Sequence, residues 1–200
     1  GLAEAEDGGI DPVRAGGRVT ALAQRCDAIL IGPGLSAGDG TSALTLSLLP
    51  GEPPTTFVLD AGAISGLGAH AETVRSCKGR AVITPHAGEM AQLLDVGRDE
   101  VEADPLAAAR RAADLLGCIV IMKGARSWIV DPDGERWLYA GGGVGLATSG
   151  SGDALSGILA GLLARGTGAL AAALWAVCLH GEAGRRLSCR VGPLGFLARE

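Results

Sequence analysis

Four short, unbroken apolar runs constrain the architecture most: Asp27-Ala-Ile-Leu-Ile31, Thr55-Thr-Phe-Val-Leu59, Ala81-Val-Ile83 and Cys118-Ile-Val-Ile-Met122. They lack the apolar–polar alternation of a half-wet strand, and they are too short for buried helices. Strands apolar on both sides belong in a parallel sheet covered on both faces. Segments of helical character separate the runs, so the chain reads as successive βαβ units.

Those separating segments carry their own start signals. Thr84-Pro85 and Asp104-Pro105 each place a capping side chain before a proline at the first helical position, predicting helices to Leu94 and about Leu116. Ser42–Leu49 and Ala71–Cys77 also read as helical, and Ala61–Gly68 as a short helix or turn. Asp131-Pro-Asp-Gly134 between Ser127–Val130 and Glu135–Tyr139 is a hairpin signal, which predicts antiparallel strands at one sheet edge. Gly1–Gly17 is acidic and glycine-bearing and reads as loop, with a short helix over Arg18–Arg25. A helix from Asp153 and another over Ala169–Leu187 complete the pattern. The apolar stretch Ala154–Val177 is interrupted by Arg165 and Gly166-Thr-Gly168. Each half is shorter than the ~18 apolar residues a membrane span needs, so no membrane association is expected.

Composition narrows the function. A chain of 200 residues suits one domain with a real core. A net charge of −5 leaves no electrostatic footprint for nucleic acid. Five cysteines, Cys26, Cys77, Cys118, Cys178 and Cys189, are odd in number and form no CxxC pair. They read as reduced, mostly buried thiols of a cytoplasmic protein, not as a disulfide framework or zinc site. No signal-peptide pattern opens the sequence, and no His, Cys and carboxylate cluster has metal-ligand spacing.

In open parallel sheets, ligands sit beyond the carboxyl ends of the strands. That rule nominates five places. Gly32-Pro-Gly34 exposes backbone or is an ordinary turn. Asp60 is a helix cap or a site residue. His86, with Glu89 one turn on, is structural or faces a ligand. Lys123 reaches a phosphate as a point charge or is a solvated surface lysine. The fifth is Gly141-Gly-Gly-Val-Gly-Leu-Ala-Thr-Ser-Gly-Ser-Gly-Asp153, a glycine-rich loop running into a helix. Glycine lets such a backbone turn tightly and bare its N–H groups, and the helix start adds unpaired donors and a positive dipole end. That combination suits an anion, phosphate above all. Asp153 at its mouth either caps the helix or takes a proton from a nearby hydroxyl. His70 and His180 read as structural.

Five stretches in this order resemble the ribokinase-like superfamily and, more narrowly, the ADP/ATP-dependent NAD(P)H-hydrate dehydratases, the carbohydrate-kinase-like domain of the YjeF family. They are Ile31-Gly-Pro-Gly-Leu35, Leu59-Asp-Ala-Gly-Ala63, Ile83-Thr-Pro-His-Ala-Gly-Glu-Met90, Met122-Lys-Gly-Ala125 and Gly145-Leu-Ala-Thr-Ser-Gly-Ser-Gly-Asp-Ala-Leu-Ser-Gly157. The resemblance implies a three-layer αβα fold with a mostly parallel central sheet. Residues 1–200 would form a single domain lacking its N-terminal portion, since nothing before Asp27 matches the family's opening glycine-rich motif.

It also implies a reaction: dehydration of hydrated NAD(P)H driven by ADP or ATP, with Mg2+ carried by the nucleotide and no dedicated metal site. The hydroxyl is phosphorylated and phosphate is then eliminated. Asp153 would be the catalytic base, and the N–H groups of Gly150, Ser151 and Gly152 the anion hole. Lys123, Gly124, Ala125, Arg126, Ser127 and Gly152 would bind the nucleotide. Gly34, His86 and Asp153 would contact the hydrated dinucleotide. A homo-oligomer, a tetramer, and functional pairing with an NAD(P)H-hydrate epimerase are further implications.

The chain departs from the family pattern at four points. Gly62 stands where Asp is usual, Gly143 where Asn is usual, Ala87 where Pro is usual and Ser127 where Thr is usual. A small-molecule kinase of the same superfamily, acting on a thiazole or a sugar alcohol, and a nucleotide-binding module without turnover are the competing readings.

Overall fold

The structure is a computed structural model that describes residues 3–5, 10–50 and 55–200. Helix α1 (Pro12–Ala23) leads into strand β1 (Ala28–Ile31), α2 (Asp39–Leu48) and β2 (Thr56–Leu59). Two 3₁₀ turns and α3 (Ala71–Arg75) connect to β3 (Ala81–Ile83). Helices α4 (Ala87–Leu94), α5 (Arg98–Ala103) and α6 (Pro105–Leu116) precede β4 (Ile119–Met122). The hairpin β5 (Ser127–Val130) and β6 (Arg136–Tyr139) follows, then α7 (Ser151–Ala164) and α8 (Ala169–Arg190).

The six strands lie in sequence order, β1 to β6. The first four are parallel, and β5 and β6 are antiparallel. Stepping in one direction with right-handed crossovers puts every connecting helix on the same face of the sheet. The core divides accordingly. Phe57, Leu59, Ile83, Val120 and Met122 pack toward α2, α4 and α6. Val58, Val82, Ile119, Ile121 and Ile129 pack toward α7 and α8. Successive residues of each strand thus serve opposite layers, which is why the runs are apolar throughout. Burying each such side chain contributes about 1.5–3 kcal/mol. After β6 the chain returns over the second face, so that α7 packs on β1 and β2.

The structure departs from the sequence reading at several termini. Gly1–Gly17 is not all loop, because α1 starts at Pro12 with Asp11 Oδ1 accepting from the Val13 and Arg14 N–H groups, both at 3.0 Å. This is the same Asp-Pro signal that opens α6, where Asp104 Oδ1 accepts from Ala107 N–H at 2.9 Å. Residues 1–2 and 6–9 of that stretch lie outside the described residues. Helix α4 starts two residues later than predicted, because His86 caps it and Thr84 is buried beneath. Helix α5 adds to the expected elements; it is six residues long and has Gly97 at its N-cap with no capping side chain, so it carries no start signal. The hairpin forms as expected, with Asp131 Oδ1 accepting from the Asp133 and Glu135 N–H groups. The thiols are free, but Cys26, Cys178 and Cys189 are exposed, against the expectation of mostly buried cysteines. The latter two sit on outward positions of α8, away from the Ala172–Ala173–Ala176 contact with the sheet. Among the described residues no helix is long and apolar enough to cross a membrane.

Candidate active site

The glycine-rich loop reaches α7 through Gly150, whose φ of 82° at the N-cap is left-handed. No side chain caps this helix. Ser151 N–H is directed to Thr148 C=O at 3.2 Å, and Ala154 N–H returns to Gly150 C=O at 3.0 Å. The N–H groups of Gly150, Gly152 and Asp153 have no hydrogen-bond partner among the described residues. Three donors thus stand free as an anion cradle at the positive end of a 14-residue helix, but the set differs from the expected one: Ser151 N–H is engaged with Thr148 C=O, and Asp153 N–H is free in its place. Asp153 sits in the first turn, exposed, and makes no capping bond. The capping alternative for this residue is therefore not realised.

Beneath the cradle lies a buried polar network. Asp60, at the end of β2, is 1% exposed. Its Oδ1 accepts from Lys123 Nζ at 2.7 Å and from Ala61 N–H at 2.9 Å. Its Oδ2 accepts from Ser156 Oγ, in the second turn of α7, at 2.5 Å. Thr84, at the end of β3, lies 3.4 Å from the same hydroxyl. Lys123, at the end of β4, also stands 3.7 Å from Glu89 Oε2. The lysine is therefore a held cation, not a solvated surface group. A Cβ built on Gly152 would stand 3.4 Å from Lys123 Nζ and 4.0 Å from Asp60 Oδ2, which places the cradle directly against the ion pair.

His86 and Glu89 form a reciprocal cap. His86 Nδ1 accepts from the Gly88 and Glu89 N–H groups at 3.0 and 3.2 Å, and Glu89 Oε2 accepts from His86 N–H at 2.8 Å. An accepting Nδ1 carries no proton, so the ring proton is assigned to Nε2, which lies 3.5 Å from Glu89 Oε1. His86 borders two cavities. One, of about 840 Å³, is lined by Lys123, Gly124, Ala125, Arg126 and Trp128. The other, of about 270 Å³, is lined by Ala61, Gly62, Glu89 and Gln92. Ser127 opens β5 and is half-buried. Gly34 is exposed with φ 76° and open space where a Cβ would be.

Gly62 has no such room: a Cβ there would stand 2.5 Å from Leu35 O. Gly143 has φ 87° and ψ 167°, a region essentially reserved for glycine.

Two features escape sequence reasoning. Ser151 Oγ lies 3.0 Å from His180 Nε2 on α8. Burial pushes the His180 imidazole below its ordinary value; a hydrogen bond at Ser151 opposes that, and the Lys123 charge adds to it. The pair lines a third cavity of about 320 Å³, with Thr148, Arg186 and Phe196. The Phe196 ring fills the space that Gly145 leaves by having no side chain. The sequence carries no local signal for either contact, since the partners are far apart along the chain.

A family profile described as Carb_kinase, NAD(P)H-hydrate dehydratase, matches residues 9–200. The chain belongs to that family. It is 45% identical over 196 residues to the ADP-dependent (S)-NAD(P)H-hydrate dehydratase of Xanthomonas campestris, covering 98% of this chain and 65% of that protein. It is 37% identical over 172 residues to the bifunctional NAD(P)H-hydrate repair enzyme Nnr of Moorella thermoacetica, covering 86% of this chain and 32% of that protein. Among solved structures, the ADP/ATP-dependent NAD(P)H-hydrate dehydratase of Bacillus subtilis, co-crystallised with ATP/Mg2+, superposes with a TM-score of 0.74 at 28% identity. That match covers 86% of this chain and 60% of the other. The chain thus spans about two thirds or less of the length of these relatives. The fold is ribokinase-like, with the mostly parallel sheet and antiparallel edge expected from the sequence.

Proposed function

We propose that this chain carries the ADP- or ATP-dependent dehydration of hydrated NAD(P)H. The observation that carries the reading is the cradle of unpartnered N–H groups at Gly150, Gly152 and Asp153, set against the held Lys123 ammonium. Phosphoryl transfer depends mainly on positioning and electrostatic stabilisation, and this arrangement supplies both. Family membership and the name of the Xanthomonas relative point to the substrate.

In this reading the nucleotide lies along Lys123, Gly124, Ala125, Arg126 and Ser127, with its reacting phosphate against Gly152. The hydrated nicotinamide lies toward Gly34 and His86, with its hydroxyl at Asp153. Asp153 accepts the hydroxyl proton as the oxygen bonds to the terminal phosphorus and the nucleotide leaves one phosphate shorter. The C–O bond then breaks, inorganic phosphate departs with its electron pair, and loss of a proton from the neighbouring carbon restores the ring double bond. The loop N–H groups hold the phosphoryl oxygens throughout.

Magnesium fits as a passenger of the nucleotide. The described residues contain no group of three ligands for a metal, but nucleotide-borne Mg2+ needs only one or two carboxylates. Glu89, beside Lys123 and with 16% of its side chain exposed, would supply one. Bound there, the ion would neutralise phosphate charge. The bifunctional repair relatives support a metabolite-repair setting.

The test is recovery of reduced-nicotinamide absorbance from hydrated NADH or NADPH. We expect recovery only with ADP or ATP present, and an Asp153→Asn variant that binds nucleotide without turnover. General-base removal costs roughly 10²–10⁴-fold in rate. No recovery with either nucleotide overturns the dehydratase reading, and full activity in the variant overturns the role of Asp153.

A further inference from the structure

We propose that Asp60 is a positioning residue that holds the two halves of the anion site at a fixed separation. One half is the cation, Lys123, delivered by β4. The other is the start of α7, which carries the loop donors. A single carboxylate grips both, Lys123 Nζ through Oδ1 at 2.7 Å and Ser156 Oγ through Oδ2 at 2.5 Å. Nothing else in the network spans that gap. Glu89 touches only the lysine side, at 3.7 Å, and Thr84 only the serine side, at 3.4 Å.

The chemistry of the carboxylate matters. An ionised carboxylate accepts at both oxygens, so it serves an ammonium and a hydroxyl at once. A carboxamide keeps one accepting oxygen for the ammonium, but it carries no charge to hold that cation and can meet Ser156 only by donating to its hydroxyl, which must then turn its own proton to Gly152 C=O, 3.0 Å away. The short Ser156 contact is the length expected of a hydroxyl donating to a charged oxygen. Asp60 is itself held in place. Its Oδ1 takes Ala61 N–H at 2.9 Å, and its carbonyl oxygen would lie 1.6 Å from any Cβ on Gly32, so glycine there lets the first strand-end turn close over it. The carboxylate is buried and lines neither of the two cavities beside His86. It acts through Lys123 and α7.

This inference rests on the reading of the cradle as a phosphate site, and its test separates the two. ADP affinity is measured by calorimetry in wild type, Asp60→Asn, Lys123→Ala and the double variant, and turnover is measured alongside. A misplacement of about 1 Å at a reacting group can cost on the order of 100-fold. We expect Asp60→Asn to lower turnover on that order and to weaken ADP binding about 10-fold. In the Lys123→Ala background the same change should alter ADP affinity less than about threefold, because the cation it positions is gone.

A purely architectural Asp60 would lower thermal stability and weaken ADP equally in both backgrounds. That equality, or wild-type affinity and turnover in Asp60→Asn, overturns the proposal. Should Asp60→Asn not fold, Ser156→Ala cuts the helix arm alone. It should lower turnover at least 10-fold while ADP affinity stays within about threefold; unchanged turnover overturns the proposal. Coupling in ADP affinity without any dehydration would leave Asp60 as proposed and remove the dehydratase reading instead.

Discussion

Replacing Gly152 with alanine should separate anion binding from stability. Gly152 is the second residue of α7, where alanine is the better helix former. Its φ is not left-handed, so alanine fits the backbone. Removing the chain freedom of glycine at a compatible site is worth about 0.4–1 kcal/mol. In a domain of this size that corresponds to a melting temperature higher by about 1–4 °C. The new methyl, however, would stand 3.4 Å from Lys123 Nζ, in the gap between the cation and the loop donors. An anion bridging the two would lose its approach to the ammonium. A hydrogen bond to a charged group contributes about 1.5–3 kcal/mol, and its loss corresponds to a roughly 10- to 100-fold weaker dissociation constant. Calorimetric titration with ADP and with ATP, beside a thermal melt, measures both quantities. A variant that melts no lower than wild type and binds nucleotide 10-fold or more weakly supports the geometry. Unchanged affinity would show that no phosphate passes between Gly152 and Lys123.

Restoring the family's usual aspartate by Gly62→Asp should destabilise the fold, because its Cβ would meet Leu35 O at 2.5 Å; a melting temperature within about 1 °C of wild type would contradict this. Acidification should weaken the protein through His180. Its folded value lies below the ordinary 6.5, so between the two the unfolded chain binds more protons and stability falls as pH falls. His180→Asn should flatten that part of the stability–pH curve, and an unaltered slope would assign it to other groups. Alkylation of the native protein at mildly alkaline pH should modify Cys26, Cys178 and Cys189, which are exposed. It should spare Cys118, whose thiol burial pushes up to about 12, and Cys77, raised by the same cause. Mass spectrometry showing native labelling of either buried thiol would refute this.

What could be read from the sequence and what could not follows a physical division. The parallel sheet was legible because each of its strands is apolar on both sides, as Val58 and Leu59 show by serving opposite core layers. The strand-end rule located Asp60, His86 and Lys123 because their places depend only on where a strand stops. Their partners did not follow, since Asp60 meets Ser156 across 96 residues and Lys123 across 63. Local signals were also ambiguous where two residues compete for one cap. Thr84 precedes a proline, yet His86 holds the helix, because Thr84 is buried and its hydroxyl faces Ser156. Asp153 looks like a cap in sequence, but Gly150 in the left-handed region starts α7 early and leaves the carboxylate exposed one turn in.

The strictly sequential strand order has a consequence for how the molecule comes together. As the chain leaves the ribosome, each new strand finds its neighbour already made, so the sheet can grow by short steps. Helix α7 breaks this pattern. It must travel back to β1 and β2, strands made well before it, and such long-range closure is intrinsically slow. The cradle of N–H groups at the start of α7 exists only once that step is complete. Under the proposed function, a nucleotide would therefore hold none of the earlier species and would draw the population toward the finished molecule by RT ln(1 + [L]/Kd), making ligand supply a term in the yield of folded protein.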